Sequence, residues 1–91
     1  MGCHCAASCR TSAGSAYKEE LEPIIKPCLC DAGCATQCGT SLCVGTDPKD
    51  TPCLPCMDQK IKENACPKER QDCAKKSAAC KAVYDCLAGC P

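Results

Sequence analysis

The sequence predicts an all-α fold: a single small disulfide-rich domain, residues 1–91, of four or five short helices with little or no β structure. Three observations predict it. Fifteen of the 91 residues are cysteine, above the roughly 8–10% that marks a disulfide scaffold. Large apolar side chains number only fourteen (five Leu, three Ile, two Val, two Met, two Tyr), with no Phe or Trp. The cysteines and apolar residues recur at three- and four-residue spacing, and no run of four or more alternates like a strand. So thin a core hardly offsets about 1.5 kcal/mol of ordering entropy per residue. Covalent or metallic cross-links must supply the difference.

Taken in order, residues 1–14 are small and polar and read as an N-terminal loop stapled to the body. From Ser15 as N-cap, Tyr17, Leu21, Ile24, Ile25 and Cys28 follow helical spacing. Pro23 predicts a kink or a second start near Glu22, and Pro27 a break before "CLC". "DAGCATQCG" reads as a short helix capped by Asp31 and stopped by Gly39, with Cys30, Cys34 and Cys38 on one face. Residues 44–52, rich in Gly, Pro, Asp and Thr, form the loop between helical halves. Asp50 or Thr51 then caps a helix that has Pro52 at its first position. This helix carries Cys53, Cys56, Met57 and Ile61, with Asp58 and Lys62 as an outward pair. Pro67 opens a last helix that Gly89 ends. Along it Cys73, Cys80, Tyr84 and Leu87 share one face, and Val83, Cys86 and Cys90 a neighbouring one.

Charge excludes little but points away from nucleic acid. The formal net charge is zero, and residues 57–81 hold seven Lys/Arg against four Asp/Glu. That mild bias suits a solvated helix face better than a phosphate footprint. No stretch approaches the roughly 18 apolar residues of a membrane span. "MGCHCAASCR" has no apolar core of a signal peptide, so the expectation is a processed form or a chain that reaches its compartment without a cleaved leader. Thiols at this density belong outside a reducing cytosol unless metal is bound. Their odd number leaves one unpaired, modified or intermolecular. Cys3 is the candidate, because Gly2-Cys3 matches the last two positions of a bacterial lipobox, where a lipid anchor would attach. Ala6 stands where a myristoylation pattern wants Ser or Thr.

Structural disulfides account for nearly every cysteine with one cause. Facing stripes of cysteine bring side chains within bridging reach, and each bridge contributes roughly 2–4 kcal/mol. The disulfide candidates are Cys5, Cys9, Cys28, Cys30, Cys34, Cys38, Cys43, Cys53, Cys56, Cys66, Cys73, Cys80, Cys86 and Cys90. The alternative is thiolate binding or storage of Cu(I) or Zn²⁺. Cys3-His4-Cys5 and Cys28-Leu29-Cys30 resemble the C-x-C units of metallothioneins, and Cys30, Cys34 and Cys38 resemble the ladders of helical copper-storage proteins. Cys53-Leu54-Pro55-Cys56 has the C-x-P-C form of thiol oxidoreductases, at a helix start where a thiolate is stabilised, but lacks the βαβ setting such sites occupy. His4 is the only histidine. No catalytic, cofactor-binding or metal-ligating residue is therefore assigned, and the expectation is a non-enzymatic protein without a cofactor.

Two resemblances extend the reading. Tyr17, Leu21, "CLC" at 28–30, Cys34, Cys38, "LCVG" at 42–45, "CLPC" at 53–56 and "CKAVYDCLAGCP" from Cys80 resemble small cysteine-rich secreted or lipoprotein-type proteins of myxobacteria. That resemblance implies an exported helical protein, extracellular or periplasmic. Cys56 to Cys66 and Cys80 to Cys90 each enclose nine residues, which is similar to the twin CX9C helical hairpin of the mitochondrial intermembrane space. This second resemblance implies bridges Cys56–Cys90 and Cys66–Cys80, and a role as accessory subunit or assembly factor of a mitochondrial complex. The expected function is a disulfide-stapled structural or interaction protein of an oxidising compartment. It acts on a protein partner or by self-assembly, without nucleic acid and without a transmembrane span.

Overall fold

A computed structural model describes residues 5–31, 33–46, 48 and 52–90. These form six α-helices: α1 (Cys5–Ala13), α2 (Glu22–Asp31), α3 (Ala35–Cys38), α4 (Cys53–Lys62), α5 (Pro67–Lys76) and α6 (Ala78–Ala88). A π-helical turn, Tyr17–Leu21, precedes α2, and a 3-10 turn, Leu42–Val44, follows α3. There is no strand among the described residues. No helix among them is long and apolar enough to cross a membrane.

Two features make the helix count exceed the expected four or five. Residues 5–13 are a helix rather than a stapled loop. Alanines at 6, 7 and 13 favour helix, Cys9 is its one buried residue, and Gly14 ends it at φ 59°. The second is a break in the expected last helix. Ser77 is fully extended (φ −168°, ψ 158°), and its hydroxyl accepts the Cys80 N–H at 2.9 Å as N-cap of α6. The Ser77 hydroxyl in turn donates to Glu20.

The prolines act less sharply than expected. Pro23 cannot donate to the Glu19 carbonyl and its ring crowds that turn. The chain answers with the π turn immediately upstream, where the Glu22 N–H donates to the Tyr17 carbonyl. Pro27 lies inside α2 and does not end it. Pro23 and Pro27 are four apart on the exposed side, so the lost backbone bonds fall where water can replace them. The opposite face buries Tyr17, Leu21, Ile25 and Leu29 at four-residue steps.

Helix ends follow local chemistry. Gly33 (φ 114°) turns the chain after α2, and the Cys34 N–H donates back to the Leu29 carbonyl at 3.0 Å. Cys34, not Asp31, is therefore the N-cap of α3, and Asp31 is the last residue of α2. Pro52 occupies the N-cap of α4; Asp50 and Thr51, expected there, lie outside the described residues. Asn64 takes the left-handed conformation after α4 (φ 56°), and the Ala65 N–H closes on the Lys60 carbonyl at 3.0 Å. Pro67 starts α5 and Gly89 caps α6, as the sequence predicts.

The core is one cluster in which sulfur stands beside aliphatic side chains. Leu21, Ile25, Leu29, Met57, Ile61, Tyr84 and Leu87 are essentially inaccessible, as are Cys34, Cys38, Cys53, Cys66, Cys73 and Cys80. Burying each aliphatic side chain contributes about 1.5–3 kcal/mol. Cys73, Cys80, Tyr84 and Leu87 face inward, and Lys75, Lys76 and Lys81 face water.

Candidate functional site: the cystine network and the groove beside α1

Among the described residues, seven disulfides link the helices. Cys5–Cys90 and Cys9–Cys86 join α1 to α6, and Cys73–Cys80 joins α5 to α6 across Ser77. Cys28–Cys66 ties α2 to the start of α5, and Cys30–Cys43 ties it to the 3-10 turn. Cys34–Cys56 and Cys38–Cys53 join α3 to α4. Cys3 and His4 lie outside the described residues.

This pairing separates groups that the sequence brings together. Cys30, Cys34 and Cys38 do not form a ladder: the turn at Gly33 divides them, and their sulfurs go to Cys43, Cys56 and Cys53. Cys53 and Cys56, at the N-terminus of α4, are bonded to α3 rather than to each other. The bridges implied by the twin CX9C resemblance, Cys56–Cys90 and Cys66–Cys80, are not those found. Cys56 meets Cys34, Cys66 meets Cys28, Cys80 meets Cys73 and Cys90 meets Cys5. Around α6, Cys86 and Cys90 are bonded to α1 and Cys80 to α5, so none of these sulfurs is left for α4.

Beside α1 runs a groove of about 450 Å³, walled by Ala7, Arg10, Tyr17, Glu22, Pro48 and Leu54 among others. Arg10 is fixed rather than free. Its guanidinium donates to both carboxylate oxygens of Asp58 on α4, the closest contact being 2.8 Å, and lies 5.5 Å from the centre of the Tyr17 ring. Asp58 thus pairs across helices with Arg10, not along α4 with Lys62. Burial pushes the Asp58 carboxyl above its ordinary range, against the lowering effect of Arg10. The Tyr17 hydroxyl donates a weak 3.9 Å bond to the Met57 sulfur. Burial, reinforced by the negative charge of Glu22, raises its pKa above the ordinary phenol value.

A second groove of about 360 Å³ continues along α2, sharing Lys18 and Glu22 with the first and reaching Leu42 and Gly45. Val44, in the 3-10 turn beside Gly45, is 63% exposed, the one large hydrophobic exposed among the described residues. The two grooves together mix apolar side chains such as Leu42 and Leu54 with the charged Arg10, Lys18, Glu22 and Lys26. Sequence reasoning missed them: a single arginine in a small, polar segment gives no periodic signal. No family model, curated protein or solved structure matches the chain.

Proposed function

We propose that this protein is a non-enzymatic, disulfide-stapled scaffold of an oxidising compartment, extracellular or periplasmic, that works through surface contacts with a protein partner or with copies of itself. The observation that carries this reading is the cystine map. Fourteen cysteines are joined in seven bridges that reach every helix, so their sulfur serves cohesion in a chain with few large side chains. Bridges this numerous persist where thiols are oxidised. The paired grooves, and the exposed Val44, supply a surface that contact could use.

Two measurements test it. Intact mass after alkylation in denaturant without reductant should show at most one label per chain; uptake of more than four overturns the scaffold reading. Native mass spectrometry of material from its source should show a complex or a self-assembly. An inert monomer there overturns the contact reading, and a mass loss on chelation favours thiolate metal binding instead.

A further inference from the structure

Two of the seven bridges lie against each other. Cys5 and Cys9 are four apart on α1, Cys86 on α6 and Cys90 just past its Gly89 cap are also four apart, and the antiparallel pairing joins 5 to 90 and 9 to 86. The Sγ atoms of Cys9 and Cys90, which are not bonded to each other, are 3.8 Å apart. The sulfurs of Cys5, Cys9 and Cys90 all fall within 4.8 Å of one another; the fourth sulfur, that of Cys86, is bonded to Cys9 but lies outside this group and must turn inward to join it. We infer that this clasp, when reduced, is a four-thiolate binding site for a tetrahedral divalent cation of the Zn²⁺ type.

The distances favour that ion. With Zn–S bonds of about 2.3 Å, a regular tetrahedron of sulfurs has edges of about 3.8 Å. The Cys9–Cys90 edge already has this length. The two bonded pairs are opposite edges, which lengthen once their bonds are cleaved. Cα–Cα separations of 5.7 and 5.8 Å allow this through side-chain rotation. Cys34 and Cys38 facing Cys53 and Cys56 make a similar double bridge, but among the described residues they do not gather three sulfurs this closely. Cys28, Cys66 and Glu69 form a comparable group but with only two sulfurs.

Access and integrity also single out the clasp. Cys86 is the one cysteine in the exposed class among those described, so a thiol reductant meets it first. Each bridge accepts two electrons and two protons from a dithiol, which leaves as its own disulfide. The four thiols then lose their protons to water as the cation binds. Meanwhile α1 stays docked through Arg10 and Asp58, and five other bridges keep the remaining helices in place. The inference rests on the cystine map and not on the proposed contact role.

The test uses the full-length oxidised protein, treated anaerobically with limiting phosphine reductant and then with Co²⁺. The expected result is one Co²⁺ per chain with the intense visible absorption of tetrahedral thiolate coordination, displaced by Zn²⁺. Cys5, Cys9, Cys86 and Cys90 should be the four cysteines that metal protects from alkylation. The double variant Cys5→Ser/Cys90→Ser should lose the ion, whereas Cys30→Ser/Cys43→Ser and Cys3→Ser should keep it. Should a variant misfold, the protection pattern of the unaltered chain decides. An open clasp that binds no metal, protection of other cysteines, loss of binding in Cys3→Ser, or a clasp that resists reductant after other bridges open would each overturn the assignment.

Discussion

Arg10 and Asp58, 48 residues apart, meet through both oxygens of the carboxylate, and this pair ties α1, already bridged to Cys86 and Cys90, to α4 as well. Both groups are largely screened from water, at 16% and 29% side-chain exposure. Truncating the arginine therefore strands a partly desolvated carboxylate, which costs more than the pair contributes. Arg10→Ala is expected to lower stability by about 2 kcal/mol and Asp58→Asn by about half as much, after allowance for residual solvent. Guanidinium unfolding with all bridges intact measures both, and equal losses would contradict the argument.

The same pair makes a prediction about pH. Burial raises the Asp58 carboxyl above the ordinary aspartate value of 3.8, whereas hydrogen bonds from Lys81 and then Arg70 hold Asp85 below it. For Asp85 the folded state favours the charged form, so its contribution is present above the unfolded value and lost as pH falls through the lowered one. Asp58 runs the other way: its contribution is full at low pH and fades as pH rises through the raised value. Asp85 is well exposed, so its share is at most about 1 kcal/mol. A carboxyl NMR titration should find Asp85 ionising at lower pH than Asp58; the reverse order refutes the assignment.

How far the sequence carried can be judged element by element. The starts at Pro67 and near Cys53 and the stop at Gly89 were legible because proline and glycine act locally. Helix α1 was not, since alanine, serine and cysteine without a large apolar residue give no periodic stripe. Pro27 misled because an exposed helical face lets water take over the missing bond. Ser77 misled in the other direction: the cysteines and apolar residues either side of it keep helical spacing, and only its capping chemistry marked a break. The cystine pairing lay beyond reach, since it depends on which helices pack together. So did the groove, whose walls come from four separate segments.

Ser77 is open to direct test. Its hydroxyl caps α6 through the Cys80 N–H and also binds Glu20 on the π turn. Ser77→Ala is expected to cost about 1 kcal/mol, the usual loss for an N-cap. Ser77→Thr, which keeps the acceptor, should recover most of it. If alanine is neutral in thermal unfolding, the break between α5 and α6 is held by other forces, the Cys73–Cys80 bridge foremost.

That bridge closes the shortest loop of the seven, with a sequence separation of 7. In the chain-entropy account a loop of about eight residues contributes about 2.5 kcal/mol, against about 3 for one of fifteen. Cys73→Ala/Cys80→Ala removes this constraint and two fully buried sulfurs, so a loss of about 2–4 kcal/mol is expected in denaturant unfolding. Most of it should appear as faster unfolding if α5 and α6 dock late. The grooves should survive, because their lining residues belong to α1, the π turn, α2, α4 and the segments between, none of them to α5 or α6. Backbone amide shifts of Arg10, Tyr17 and Val44 in the double variant should thus match those of the parent chain. Large shifts at those three residues would show instead that the bridge shapes the surface as well as the core.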